Sequence, residues 1–551
     1  MNPIIRRELL DLLRTRTTTA VLIALAAACA ILVLVRWPTG GVSDLSGARS
    51  LQVLRVFGYG LLAGVLFLVP AFPATSIVRE KVNGTLALLL NSPMSAWSIY
   101  TGKLGGVLGF AAILLLVTTP AAAACYALGG VSASGGVGLL YAVLAAAVVQ
   151  LTTLGLWVSG RANSADGALR STYGLVLAVV VLPLAPHWFF QGSQGAVADA
   201  AEFLRCLSPV PAVMEVLGHA GVGDRGLGSS GSVVPRYLVF ALLTGLGCAL
   251  ATIVRLGQNP LDRSRPAGVM TDDRSRKGRA ARRVFFLVDP QRRSGSASLL
   301  MNPVLTKELR SRRFGRFHWI VRMIALCAIV SLGLSIIATS GALAWGSGAV
   351  GGAIILLQTV LLILFVPSLA SGLISSEREG GTWQLLRTTP LSTGAILRGK
   401  LMSVAWPLLL LAVGTLPGYI VMATIEPDQF ERMQRPVICL GVTAVFAVLA
   451  SAAASSLFRS TAAATATAYF IVLGVCLAPF LIWLGRDAPF GHSVVEAALA
   501  ISPVATALAS ADMPGFAGYD LLPLNWWITG GLSLVLLIVL VLRSRRLYRP
   551  E

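Results

Sequence analysis

Twelve stretches of this 551-residue chain are apolar for long enough to cross a bilayer, and that constrains the fold more than any other feature. A helix rising 1.5 Å per residue needs roughly 20 residues to cover about 30 Å of hydrocarbon. Hydropathy and turn signals place six spans near 18–36, 52–77, 103–128, 137–159, 173–190 and 236–254. Six more lie near 319–340, 349–374, 401–424, 436–458, 464–484 and 525–542. With 56% apolar and 12% charged residues, the expected class is an all-α integral membrane protein of about twelve transmembrane helices.

The chain also says the same thing twice. Asn2-Pro3-Ile4-Ile5-Arg6-Arg7-Glu8-Leu9 returns as Asn302-Pro303-Val304-Leu305-Thr306-Lys307-Glu308-Leu309, each time ahead of an apolar run. A second phrase recurs at a constant offset of 297 residues, Glu80 to Leu89 against Glu377 to Leu386. The register continues through Pro93 and Pro390, Ser95 and Ser392, and Gly102-Lys103 and Gly399-Lys400. A tandem duplication explains this, with a first six-helix half over 1–254, a linker over 255–300 and a second half over 301–551.

Charge sets the sidedness. With the amino terminus, the loops after spans 2 and 4 of each half, the linker and the carboxy terminus on one side, that side holds 35 of the 44 basic residues. The acidic residues divide 12 and 12, so the sides carry +23 and −3. By the positive-inside rule the basic side is cytoplasmic, which puts both termini there in a bacterial-type plasma membrane. Both copies open with the same basic motif and so start on one side. An even number of spans per copy follows, and the halves are parallel repeats.

Each copy begins with a short basic amphipathic segment. In the first, Ile5, Leu9, Leu12 and Leu13 share one face while Arg6, Arg7 and Arg14 take the others, the pattern of a helix in the membrane interface. The loop between spans 2 and 3 is more specific. It opens with a carboxylate (Glu80, Glu377), passes through Gly84-Thr85 or Gly381-Thr382 and continues as a Leu-rich half-amphipathic helix. It then stops at Pro93-Met94-Ser95 or Pro390-Leu391-Ser392, and re-enters the membrane at Gly102-Lys103 or Gly399-Lys400. Proline ends such a helix because it cannot donate the next hydrogen bond.

These motifs resemble those of ABC-2 type transporter permeases, the membrane subunits of ABC exporters. Ser208-Pro209-Val210 and Ser502-Pro503-Val504 before the last spans agree with the resemblance, as does Leu457-Phe458-Arg459-Ser460-Thr461. The first copy departs at Arg161-Ala162-Asn163-Ser164, and at Asn83 where the second has Gly380. The resemblance implies six spans per half, an interfacial opening helix, and a coupling helix in the span 2–3 loop that docks on a separate cytoplasmic ABC ATPase. Glu80 to Pro93 and Glu377 to Pro390 would be the docking elements. The chain itself would be no enzyme and bind no cofactor, with ATP used by the partner and further complex subunits left open.

Other readings are weaker. A secondary transporter of the six-plus-six parallel-repeat class is the main alternative, but no Asp or Glu falls inside the twelve spans to couple an ion. Gly394 to Leu401 imitates a phosphate-binding loop but ends in Leu where a hydroxyl should meet magnesium. The seven scattered cysteines, of which Cys206 falls in a loop outside the membrane, suggest neither disulfides nor zinc, and the four histidines form no ligand spacing. The basic run from Arg274 to Arg283 reads as a linker against anionic headgroups, not a nucleic-acid patch. Gly102-x-x-x-Gly106 and Gly348-x-x-x-Gly352 read as close helix contacts. The stretches 191–235 and 485–524 read as external or re-entrant caps.

Overall fold

The structure is a computed structural model. It describes residues 3–14, 16–36, 48–127, 132–189, 196–218, 232–257, 302–311, 325, 328–329, 332–333, 347–425, 428–484, 491–513, 515–516 and 518–548. In chain order the helices are α1 (Pro3–Leu13), α2 (Arg16–Arg36), α3 (Ala48–Leu68), α4 (Ala71–Asn83), α5 (Thr85–Leu90), α6 (Ala96–Ala127), α7 (Leu139–Arg161) and α8 (Ala165–Val181). They continue as α9 (Leu184–Phe189), α10 (Ala196–Arg205), α11 (Pro209–Val216), α12 (Val233–Gly257), α13 (Pro303–Ser311), α14 (Ser347–Ala370), α15 (Ser375–Glu379) and α16 (Trp383–Arg387). The last are α17 (Thr393–Ile425), α18 (Asp428–Leu457), α19 (Thr461–Leu484), α20 (His492–Leu499), α21 (Pro503–Ser510) and α22 (Leu524–Tyr548). No strand occurs among the described residues.

Nine helices among the described residues are long and apolar enough to cross a membrane, and each overlies one of the expected spans. The expected span at 18–36 is helical as α2. That at 319–340 lies almost wholly outside the described residues. Over the span expected at 173–190, α8 ends at Val181 and α9 begins at Leu184, with the break at Pro183, which cannot donate a helix hydrogen bond. The number twelve therefore stays an expectation.

The chain forms two compact units, Met1–Arg263 with Leu481–Val495, and Ser264–Phe480 with Glu496–Glu551. In the first, α3, α6, α7, α11 and α12 bury an apolar core that includes Leu54, Leu62, Leu140, Leu144, Val213 and Tyr237. Tyr173 on α8 is tied to this layer by its hydroxyl, which donates to Phe67 O at 2.7 Å. In the second unit Tyr469 donates to Leu364 O at 2.8 Å.

The Ser-Pro-Val phrases are helix starts. Ser208 Oγ accepts from Val210 N at 3.4 Å and donates to Val180 O at 2.9 Å. Ser502 Oγ accepts from Ala505 N at 3.2 Å and donates to Cys476 O at 2.7 Å. Serine at the cap and proline at the first helical position suit a start whose N–H groups lack intrahelical partners. Helices α20 and α21 meet at 109° across this cap, the shape of a broken span or re-entrant pair. Cys206 is fully buried beside the first cap, with Sγ 3.4 Å from Glu202 O, so it does not lie in an open loop.

Candidate functional site

The span 2–3 connections are built from caps. α4 runs past its expected end at 77 to Asn83, where Gly84 takes φ +77° and returns its N–H to Lys81 O at 3.4 Å. In the second unit Gly381 takes φ +70° after α15. A left-handed residue stops a helix, and glycine adopts it without the clash a Cβ would bring. The Leu-rich elements are therefore only α5 and α16, shorter than the sequence suggested. Ser95 Oγ accepts from Ser98 N, and Ser392 Oγ from Ala395 N, each at 3.2 Å, to start the next helix just after Pro93 and Pro390.

Glu80 and Glu377 are consequently not loop residues. Each sits on the last turns of a helix and is buried. Lys103 and Lys400, only 1% exposed, meet them from α6 and α17. Lys103 Nζ lies 3.0 Å from Glu8 Oε1 and 3.1 Å from Glu80 Oε1, and also donates to Ser76 O and Oγ at 3.3 and 3.2 Å. Lys400 Nζ lies 2.7 Å from Glu308 Oε1 and 3.3 Å from Glu377 Oε1. A second cation closes each cluster, with Arg7 Nη2 2.5 Å from Glu80 and Lys307 Nζ 2.5 Å from Glu377. Burial alone would lower the Arg7 guanidinium, but Glu8 and Glu80 outweigh it and raise it above its ordinary value.

Each cluster joins three elements: the opening helix, the end of span 2 and the start of span 3. Small residues allow the approach. A Cβ on Gly106 would lie 2.6 Å from Glu8 Cβ, and one on Gly105 2.9 Å from Ile5 Cδ1. On Gly399 it would meet Asn302 Oδ1 at 2.8 Å and Val304 Cβ at 2.9 Å. Gly102 is buried in the same wall. Asn302 caps α13 through Val304 N at 2.9 Å and holds Ala395 O at 2.7 Å, which explains the Asn-Pro that opens the repeated motif. The Gly102-x-x-x-Gly106 spacing is thus helix contact, here between α6 and α1.

The threonines act differently in the two units. Thr382 donates to the Glu377 carboxylate, whereas Thr85 reaches only Glu80 O, at 3.4 Å, and Glu80 Oε2 is buried with no hydrogen bond. Below each cluster a serine from span 4 holds span 2. Ser159 Oγ accepts from Ile77 N and Val78 N at 3.1 and 3.0 Å, and Ser455 Oγ from Ile374 N and Ser375 N at 2.8 and 3.0 Å. Lys81 and Arg378 then cap the carboxyl ends of α7 and α18, through Ala162 O at 3.4 Å and through Ser456 O and Phe458 O at 3.3 and 3.2 Å. Cations suit the negative end of a helix. The phrase that looks degraded in the first copy keeps its function, since Ser164 accepts from Gly167 N at 3.1 Å as Ser460 accepts from Ala463 N at 3.2 Å.

Residues 3–184, which include every member of the Lys103 cluster, match the family model described as ABC-2 type transporter. Over that stretch the chain is similar to ABC-2 type transporters. No curated protein matches it. Together with its apolar helices this match indicates an integral membrane protein.

The exposed large apolar residues around the turn are Val82, Leu88 and Trp97, and in the second unit Leu385. Leu86 and Trp383 point inward. The Gly394 to Leu401 stretch is the start of helix α17 and not a loop, with Ala395 N bound to Ser392 Oγ and Ile396 N to Ser392 O. Glu8, Glu308, Arg7, Lys307, Ser159 and Ser455 were missed as site residues by sequence reasoning. The first four lie in the repeated opening motif, read for repetition, sidedness and amphipathicity, although a Glu kept at the same place in both copies was a visible signal. Nothing in the sequence around Ser159 or Ser455 marks them out from other serines of apolar helices.

Proposed function

We propose that this chain is the permease component of an ABC exporter, made of two parallel six-helix halves and driven by separate cytoplasmic ABC ATPase subunits that use ATP. The observation that carries the reading is the buried lysine clamp beneath each exposed span 2–3 turn. A push on α5 or α16 meets a rigid support. It passes through Glu80 or Glu377 to Lys103 or Lys400 on span 3, and through Arg7 or Lys307 to the opening helix.

In this reading Gly84, Thr85, Pro93 and Ser95, with Gly381, Thr382, Pro390 and Ser392, shape the docking elements. The buried acids and lysines position them and do not touch the partner. Both termini face the cytoplasm of a bacterial-type plasma membrane, consistent with the excess of basic residues there. The clamp is mechanically apt because an ion pair whose members are buried is strongly destabilised when one partner is lost, so the elements it joins move together.

The test is co-purification of an ATPase with the chain, followed by the joint Glu80→Gln and Glu377→Gln variant. Membrane insertion should be retained while stimulation of the bound ATPase is lost. Full stimulation in that variant would overturn the coupling role, and absence of any ATPase would overturn the exporter reading.

A further inference from the structure

The two docking elements are held unequally at their outer ends. In the first unit Leu86 on α5 is covered by apolar side chains, with Leu256 near the end of α12 packed into a cluster with Ile77, Tyr100 and Leu156. In the second unit the matching place is taken by polar contacts from the last helix. Trp383 Nε1 donates to Leu547 O at 3.2 Å, and the Tyr548 hydroxyl lies 2.8 Å from Leu391 O and 3.4 Å from Thr389 O. Those two carbonyls flank Pro390, the stop of the element. Trp383, Ile396, Lys400, Ser544 and Tyr548 line a small gap at this junction.

We propose that Tyr548 is a positioning residue that fastens the carboxy-terminal helix α22 to the second docking element, so that α22 moves with α16 as one lever while α12 is free to move relative to α5. The proposal rests on the docking reading above and adds an asymmetry to it. The chemistry is directional. A phenol hydroxyl has one proton to give, and two carbonyls on either side of a proline that donates nothing are its acceptors, so the contact fixes both distance and orientation. The Leu86–Leu256 contact is apolar and non-directional, and tolerates sliding.

The experiment uses the full chain, purified in nanodiscs without any ATPase. Site-specifically encoded spin labels, which spare the native cysteines, replace the exposed Leu385 and Leu534 in one sample and the exposed Leu88 and Leu243 in another. The Leu385–Leu534 pair should give a single narrow distance peak, and Tyr548→Phe, which removes only the hydroxyl, should replace it with a broad distribution. The Leu88–Leu243 pair should be broad from the start and unchanged by Tyr548→Phe. A Leu385–Leu534 distribution that ignores Tyr548→Phe would overturn the tether, as would one equally narrow for both pairs. Because no partner is present, such a failure leaves the docking reading standing, and a missing ATPase would remove that reading without altering the measured distances.

Discussion

Lys400 Nζ reaches Glu308 Oε1 at 2.7 Å, tying span 3 of the second unit to the helix that opens it, 92 residues earlier in the chain. The ammonium is taken fully out of water, and Glu308 is nearly so. Desolvation of this kind is offset only while every partner stays in place.

Lys400→Met should therefore destabilise the second unit by about 3–5 kcal/mol, since Glu308 and Glu377 both lose a buried cation. Lys103→Met should cost less, because Glu8 retains more solvent contact and Arg7 already bridges to Glu80. Thermal unfolding in detergent, followed for both variants, reads the order. Adding Glu308→Gln and Glu377→Gln to Lys400→Met should recover much of the loss, and a further fall instead would show the acids have support other than Lys400.

The glycine floor beneath the first clamp gives a second expectation. Gly106→Val should push α1 away from α6, as even a Cβ there overlaps Glu8. Lys103 would then lose its cover, and an amine-acylating reagent that leaves it untouched in the unaltered protein should modify it. Continued protection of Lys103 in Gly106→Val would mean that α1 is not its cover.

The spans were legible because bilayer thickness turns sequence length into structure. Repetition picked out Gly84, Gly381, Ser95 and Ser392, while their roles as left-handed stops and helix caps came only with the structure. The clamp was only half legible. Glu80, Lys103, Glu377 and Lys400 were singled out by repetition, but assigned to a loop and a membrane re-entry, since hydropathy falls at the charges while the helices continue through them. A buried Glu–Lys pair hides its burial from any hydropathy reading. Pro183 had the opposite effect: its apolar neighbours kept hydropathy high across a real break in the helix. The Ser159 and Ser455 contacts depend on which helices neighbour one another, which local pattern does not state.

Those serines make a third test. Each hydroxyl accepts two backbone N–H groups of the span that carries the clamp acid, so Ser455→Ala leaves Ile374 N and Ser375 N without that acceptor. A buried donor left without a partner costs about 1–3 kcal/mol. Amide exchange over 374–379 should accelerate in Ser455→Ala, and over 77–80 in Ser159→Ala. In each case the exchange change should stay within its own unit, and unchanged rates would mean that the intrahelical bonds suffice.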